Sequence, residues 1–404
     1  MILSAPAFAD GTNDGVIENV QLNTNPFLAS LNVTVGDVVD AAGQVTALGN
    51  TLNVEIDTSS ATVINNQTVN ASGFAESVVN VGLVSWQATS SATTIGNSAT
   101  ITTCCDALDV NSVQYTEVGT SMGAVSNLNV SDWAATVSTS ALATGNAIEA
   151  TTWTGASLNT FIDQTNNSQV TSEAFLDGGG QIGVNAVIAS TAIANTGLVG
   201  GEQTTTLTKI DQLSYGPEVT ATGGIGGAFT PDVEDTVVAV TATGNNLVIE
   251  NSYGFVSSDV FQDNTATITA QTDINVNTWF GSNSATSYAV GNSNFNSNVG
   301  SDILIDNVQF NAGGGVTAIT NFNGGNAGGV GDYDGQVISS AAFGNAFSAY
   351  NCGACGGGIS GTNFQNNSAS ITSTTSINSG SGGSVIGTAT AIGNTATFRS
   401  GGGG

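Results

Sequence analysis

The side chains able to do chemistry in this 404-residue chain are carboxylates, carboxamides, hydroxyls and four cysteines. There is no His, and Lys209 and Arg399 are the only basic side chains against 30 Asp and Glu, a formal net charge of −28. Without His, no Ser-His-Asp triad, His metal ligand or His general base can form. Lys209 sits in Leu207-Thr208-Lys209-Ile210, with no phosphate-cradling loop before it. A chain so poor in cations cannot neutralise phosphates, which makes DNA, RNA and anionic membrane surfaces poor partners.

Carboxylates alone can support glycoside hydrolysis, which needs two of them. Asp232, Glu234 and Asp235, or Asp302 and Asp306, are candidate sets, although no spacing singles them out. Trp86, Trp133, Trp153 and Trp279 would stack on sugar rings if exposed and would close a core if buried. Asp10-Gly-Thr-Asn-Asp14-Gly15 carries oxygen ligands at alternate places and a Gly at the sixth, but its twelfth position is Gln21 rather than Glu. Asp332-Tyr-Asp334-Gly335 is a similar fragment, and solvated loop carboxylates are the better account of both. Calcium is a weak prospect, and no other cofactor is expected. The Thr-x-Thr runs, such as Thr388-Ala-Thr390, do not recur in one column and make a poor ice-binding face.

Cys104-Cys105 and Cys352-Gly-Ala-Cys355 are expected to close as local disulfides in an exported chain. A zinc site from all four would require the two pairs to meet in space. Export is read from residues 1–9, which end in Ala7-Phe8-Ala9, a small-x-small cleavage pattern with Asp10 as mature start. No stretch approaches the roughly 18 apolar residues of a membrane-spanning helix. Disorder fits poorly, because 40% of residues are hydrophobic and only 4 are Pro.

The elements that must position these groups are announced by a repeat of about 48 residues. A Gly-Asn pair recurs with its Asn at Asn50, Asn97, Asn146, Asn245, Asn292, Asn345 and Asn394, and Ala194-Asn195 fills the vacant fourth slot. Successive Asn positions lie 47, 49, 49, 50, 47, 53 and 49 residues apart. A second anchor keeps step: Gln67, Gln114, Gln212, Gln262 and Gln309 each follow an anchor Asn by 17 residues, Gln164 by 18 and Gln365 by 20, while Gln21 heads the series. Two and four residues before the Gly slot stand small residues, for example Ala143 and Ala141, on one face of a strand. After the Asn the parity changes and larger apolar residues sit two and four places on, as at Leu247 and Ile249. A corner at Gly-Asn resolves the conflict, with Gly permissive and Asn tolerant of left-handed backbone.

Stacked corners would line up the Asn and Gln carboxamides as hydrogen-bonded ladders. The fold expected is all-β: an elongated β-solenoid of about eight repeats over residues 10–400, followed by a flexible Gly tail at 401–404. Related half-units at Gly-Asn and at Gln predict two rungs per repeat, roughly 16 rungs and a rod near 75 Å long at the ordinary strand spacing. Gly178–Gly180, Gly223–Gly227 and Asn311–Gly315 read as corner loops, and Asn321–Asp334 as an inserted loop.

Gln and Gly-Asn ladders in a His-poor, Lys-poor exported chain resemble the repeat logic of curli-type amyloid subunits, whose repeats are about half as long. Over roughly residues 20–400 the texture more closely resembles the HfaD family of holdfast anchor proteins of stalked alphaproteobacteria. That resemblance implies an exported, outer-membrane-associated cell-surface protein tethering an adhesive polysaccharide, with the curli-like subunit HfaA and the outer-membrane secretion lipoprotein HfaB as partners. It supplies no catalytic residues. The function expected is non-enzymatic adhesion through many weak polar contacts. The rivals are a self-assembling S-layer, amyloid-like or filament subunit, and a β-helix glycan-processing enzyme with two carboxylates in a groove beside a Trp.

Overall fold

The computed structural model describes residues 15–401 apart from 58–59, 154–156, 227–231, 328–334, 353–356 and 381–382. The signal-like residues 1–9, the Asp10–Asp14 acids, Asp332-Tyr-Asp334, Cys355 and the last three glycines therefore lie outside the described residues.

The described residues are strands and short connections. A first layer contains β1 (Gly15–Asn23), β2 (Phe27–Val35) and β3 (Val38–Ile56). Next come β4 (Ala61–Val69) with β5 (Gly73–Thr103), then β6 (Leu108–Thr116) with β7 (Ser121–Thr152). The central layers hold β8 (Ser157–Asn166), β9 (Gln169–Asp177) and β10 (Gln181–Glu202), then β11 (Thr205–Ser214), β12 (Glu218–Ile225) and β13 (Asp232–Ser252). The last three comprise β14 (Val256–Asn264) and β15 (Thr267–Val299); β16 (Ile303–Asn311), β17 (Val316–Ala327) and β18 (Gly335–Cys352); and β19 (Ile359–Asn367), β20 (Ile371–Ser379) and β21 (Ser384–Ser400).

Every pairing is parallel. One sheet runs β1-β4-β6-β8-β11-β14-β16-β19, each strand carrying its Gln in the same register: Gln21 opposite Gln67, Gln67 opposite Gln114, and so on to Gln365. The second sheet stacks the remaining strands, with Asn50 opposite Asn97 and Asn345 opposite Asn394 at its ends. Among the described residues, Gln segments pair only with Gln segments and Gly-Asn segments only with Gly-Asn segments. This corrects the expected two rungs per repeat: each repeat forms one layer, and the half-units face each other across the core. Eight layers at about 4.8 Å span roughly 35 Å, half the length expected.

Alternating burial follows from the alternating side chains of each strand. The column Val45, Ala92, Ala141, Ser190, Val240, Ser287, Ser340 points inward throughout, and its small side chains allow opposed strands to approach closely. Inward positions shift parity at the corner, so Ala92 before it and Ala99 and Ile101 after it are all buried. The corner does not use left-handed backbone, because none of the described Gly-Asn pairs has a positive φ. Glycine is required instead by close approach: a Cβ on Gly96 would lie 2.6 Å from the carbonyl oxygen of Gly145 in the next layer.

Two apolar clusters fill the interior. One gathers residues such as Ala75, Val79, Ala92 and Ala141 within the second sheet. The other gathers Val63, Ile101, Leu108 and Ile148 between the Gln strands and the segments after the corners. Asn321–Ala327, expected as a loop, belongs to β17 and pairs with β15, and Gly223–Ile225 closes β12 as strand rather than loop.

Candidate functional site

The anchor residues meet along two buried lines. From Asn50 to Asn394, each Nδ2 donates to Oδ1 of the next layer's Asn in seven successive bonds of 2.8–2.9 Å. The Gln line runs the other way: each Nε2 donates to Oε1 of the previous layer's Gln, from Gln365 back to Gln21, across 2.7–2.8 Å. The two lines of amide dipoles therefore oppose each other.

The spare N–H of each carboxamide ties the two lines together. Asn97 and Asn146 donate to the carbonyls of Tyr115 and Thr165, each the residue after a Gln. Gln114 and Gln164 donate to the carbonyls of Ala147 and Thr196, each the residue after an anchor Asn. Along β4, Val63 belongs to one apolar cluster and Val69 to the other, with Asn65 and Gln67 between them. The amides thus form a hydrogen-bonded polar wall dividing the two apolar clusters. Each such bond contributes about 1 kcal/mol net, whereas an orphaned buried amide costs about 1–3 kcal/mol, so the wall specifies register more than it adds stability.

The remaining candidates are dispersed. Cys104 and Cys105 are joined by a disulfide, and Cys352 is disulfide-bonded as well. No group of three or more metal-ligating side chains occurs among the described residues. Asp235 accepts from the Ser282 amide at 2.7 Å, Asp232 from Asn277 at 3.0 Å, Asp302 from the Gly358 amide at 2.8 Å and Asp306 from the Thr362 hydroxyl at 2.7 Å. Each of these carboxylates ties one layer to its neighbour, and they do not converge. Trp279 is fully buried, Gly183 packs against the Trp133 ring, and Trp86 is exposed beside Gln87, whose amide donates to Asp40.

Trp153 is different. It is 60% exposed and borders a depression of about 480 Å³ lined also by Glu149, Glu202, Glu250 and Asn251. On its other side lies a depression of about 400 Å³ with Glu55, Asp57, Thr102 and Cys104. This surface follows from register. Asp57, Cys104, Trp153, Glu202 and Cys352 each lie seven residues after their anchor Asn, so they crowd onto one ridge of the stack. The Asn column could have revealed this ridge; spacing along the chain alone conceals it.

A second exposed surface is the outer face of the Gln sheet. Lys209 stands beside Asp211 on one strand, with Asp163 and Asp259 on the strands either side. Burial holds the Asp163 carboxyl above the usual carboxylate range, with the Thr165 hydroxyl opposing the shift. Burial does the same at Asp211, where Lys209 opposes the rise and Asp163 and Asp259 add to it. Beyond them Phe261, Phe310 and Phe364 form a ribbon of tilted ring contacts with centroids 5.9 and 5.6 Å apart.

Together these features define an all-β protein of stacked parallel sheets, locked by internal carboxamide columns and carrying its exposed aromatic and acidic groups in rows. Residues 35–315 match the family Holdfast attachment protein D, HfaD, and the chain belongs to that family. No curated protein and no solved structure matches the chain.

Proposed function

We propose that this chain is a β-solenoid with one coil per repeat, exported to the cell surface, where it anchors an adhesive polysaccharide without catalysis. The observation that carries the reading is the ridge around Trp153. An exposed indole between rows of Glu, Asn and Thr offers a ring to stack on a sugar face and acceptors for its hydroxyls. With a net charge of −28, the surface suits an uncharged or amine-bearing glycan and repels an acidic one. The internal amide wall keeps the rows in register, so weak contacts act together. The family resemblance supports a curli-like subunit and an outer-membrane lipoprotein as partners in export and placement.

Trp153→Ala tests this with holdfast polysaccharide shed from the producing cells as the probe. Capture by the purified chain should fall at least several-fold while the circular dichroism spectrum is unchanged. Undiminished capture would reject the ridge as the contact surface.

Glu149, Glu202 and Glu250 beside Trp153 also favour a second reading, glycan hydrolysis. Release of new reducing ends from the same polysaccharide, abolished by Glu202→Gln or Glu250→Gln, would decide for the enzyme.

A further inference from the structure

One inward column changes its chemistry partway along the stack. The residue nine places before each anchor Asn is Ala41, Ala88, Val137 and Ala186 in the first four layers, then Thr236, Asn283 and Gln336, and finally Val385. Parallel pairing sets each of these beside the next. Thr236, Asn283 and Gln336 are at most 2% exposed, so three polar side chains stand where Ala88, Val137 and Ala186 stand in earlier layers.

Oγ1 of Thr236, both Oδ1 and Nδ2 of Asn283, and Oε1 of Gln336 have no hydrogen-bond partner among the described residues. Exchanging the two ends of the Asn283 amide changes nothing, since neither end is paired. The indole N–H of Trp279, four residues before Asn283 on β15 and fully buried, is unpartnered as well. Around it lies the apolar cluster of Val276, Phe322 and Ile338, which offer no side-chain hydrogen bond. Nε2 of Gln336 reaches the Ser379 hydroxyl at 3.3 Å.

We propose that this corner binds a short row of internal water molecules, running beside Thr236, Asn283 and Gln336 and ending at the indole N–H of Trp279. A buried polar group without a partner is destabilising, and a column that stays polar over three successive layers concentrates that cost. The balance of donors and acceptors selects the ligand. Oδ1 and Oε1 accept, Nδ2 and Nε1 donate, and the Thr hydroxyl does either. A cation would face two N–H groups, and an anion would face two carbonyl oxygens. A neutral molecule that both donates and accepts fits every atom, and water is the one small enough for a site whose members are at most 2% exposed. Five unpartnered functions, at about three bonds per buried water, call for about two molecules.

The backbone is irregular at the same place. Asp235 and Gly281 have φ of 41° and 65°, and the pairing of β13 with β15 shifts register between Glu234 and Thr236. A bulge interrupts the ladder of backbone bonds, which gives water a route of exchange into the corner.

The test is nuclear magnetic resonance of the full chain labelled at its Trp indole nitrogens, with the Trp279 signal assigned by removing each of the other three Trp in turn. A water cross-peak at the Trp279 N–H is expected, with opposite signs in laboratory-frame and rotating-frame Overhauser spectra, the mark of a bound molecule. Magnetic relaxation dispersion of isotope-labelled water then counts the long-lived molecules. Its amplitude should fall by the share of about two waters in the double variant Asn283→Leu with Gln336→Leu. Trp86→Phe, exposed and in a distant layer, should keep the parent amplitude. A Trp279 N–H without a water cross-peak in the folded parent would overturn the proposal, and this result does not depend on any variant of the column folding. A double variant with the parent's circular dichroism spectrum and an undiminished dispersion amplitude would overturn it equally. Neither outcome bears on polysaccharide capture at Trp153.

Discussion

A Cβ placed on Gly145 would come within 2.3 Å of Oδ1 of Asn166, so the corner and the strand across from it are fitted to each other. The same relationship holds for Gly244 with Asn264 and Gly291 with Asn311, at 2.6 and 2.5 Å. The one corner that carries a methyl group is Ala194, and the equivalent position in the following layer, in the column of Asn166, is Ser214, a smaller side chain. The exception thus carries its own compensation.

Gly145→Ala is accordingly expected to destabilise the chain by about 1–3 kcal/mol, the usual cost of forcing a side chain into a packed site. Combining it with Asn166→Ser should recover part of that loss, because the pair then reproduces the Ala194–Ser214 arrangement. Urea unfolding of the two single variants and the double variant measures the coupling. Strict additivity would show that the carbonyl of Ala194, 2.6 Å from the same Cβ position, sets the limit instead.

Much of this architecture can be read from the sequence because the stack is periodic in one dimension. The columns through Asn97 and Gln114 align by counting, and the parity change between Ala92 and Ala99 reveals a corner without any structure. The number of layers per repeat cannot be read in this way. Gln262 and Gly96 open segments of similar texture, and nothing in that texture tells a lateral neighbour from one across the core. Asn97 reaching the Tyr115 carbonyl, 18 residues on, is a cross-core contact between layers that sequence similarity cannot see. The Trp153 ridge is hidden for a related reason: Glu149, Glu202 and Glu250 come from successive layers and meet only once the register is known. The glycines also misled, since crowding by the next layer calls for Gly where left-handed backbone had been expected.

Asn146→Leu keeps the volume of the wall but removes its chemistry. Asn97 loses its acceptor, and Asn195 and the Thr165 carbonyl lose their donors. A cost of about 2–4 kcal/mol is expected, more than for an isolated hydrogen bond because the partners are left buried and unpaired. Asn394→Leu, at the edge, should cost well under half as much in the monomer. Thermal unfolding of both variants at low protein concentration makes the comparison, and equal losses would mean that the wall does not act as a buried unit.

Cys104 and Cys352 fall on the same ridge but on strands five steps apart in the sheet, about 24 Å at the ordinary strand spacing. That separation is several times what a disulfide can bridge. Peptide mapping of the oxidised chain without reduction should therefore recover Cys104 linked to Cys105 and no 104–352 peptide. A 104–352 crosslink within one chain would be incompatible with the stacked register.

Asp163 and Asp211 make stability depend on pH in a direction opposite to that of a salt-bridged carboxylate. Burial raises both in the folded chain, so the folded state holds these protons more tightly than the unfolded state does. Where the two states differ in protonation, the folded state binds more protons, and stability falls as pH rises. The unfavourable contribution is absent below the unfolded carboxylate range and complete above the raised folded values. Acidification from neutrality toward the ordinary carboxylate range should therefore stabilise the chain, helped by lower net repulsion from the surplus of acids. Asp211→Asn removes one raised group and its repulsion with Asp163 and Asp259. It should increase stability at neutral pH and flatten the slope on the acidic side, while Lys209, freed of its nearest neighbour on the strand, still faces Asp259 in the next layer. Urea midpoints measured from neutral down to mildly acidic pH decide the matter; a variant with a slope as steep as the parent's would place the origin of the pH dependence elsewhere on the surface.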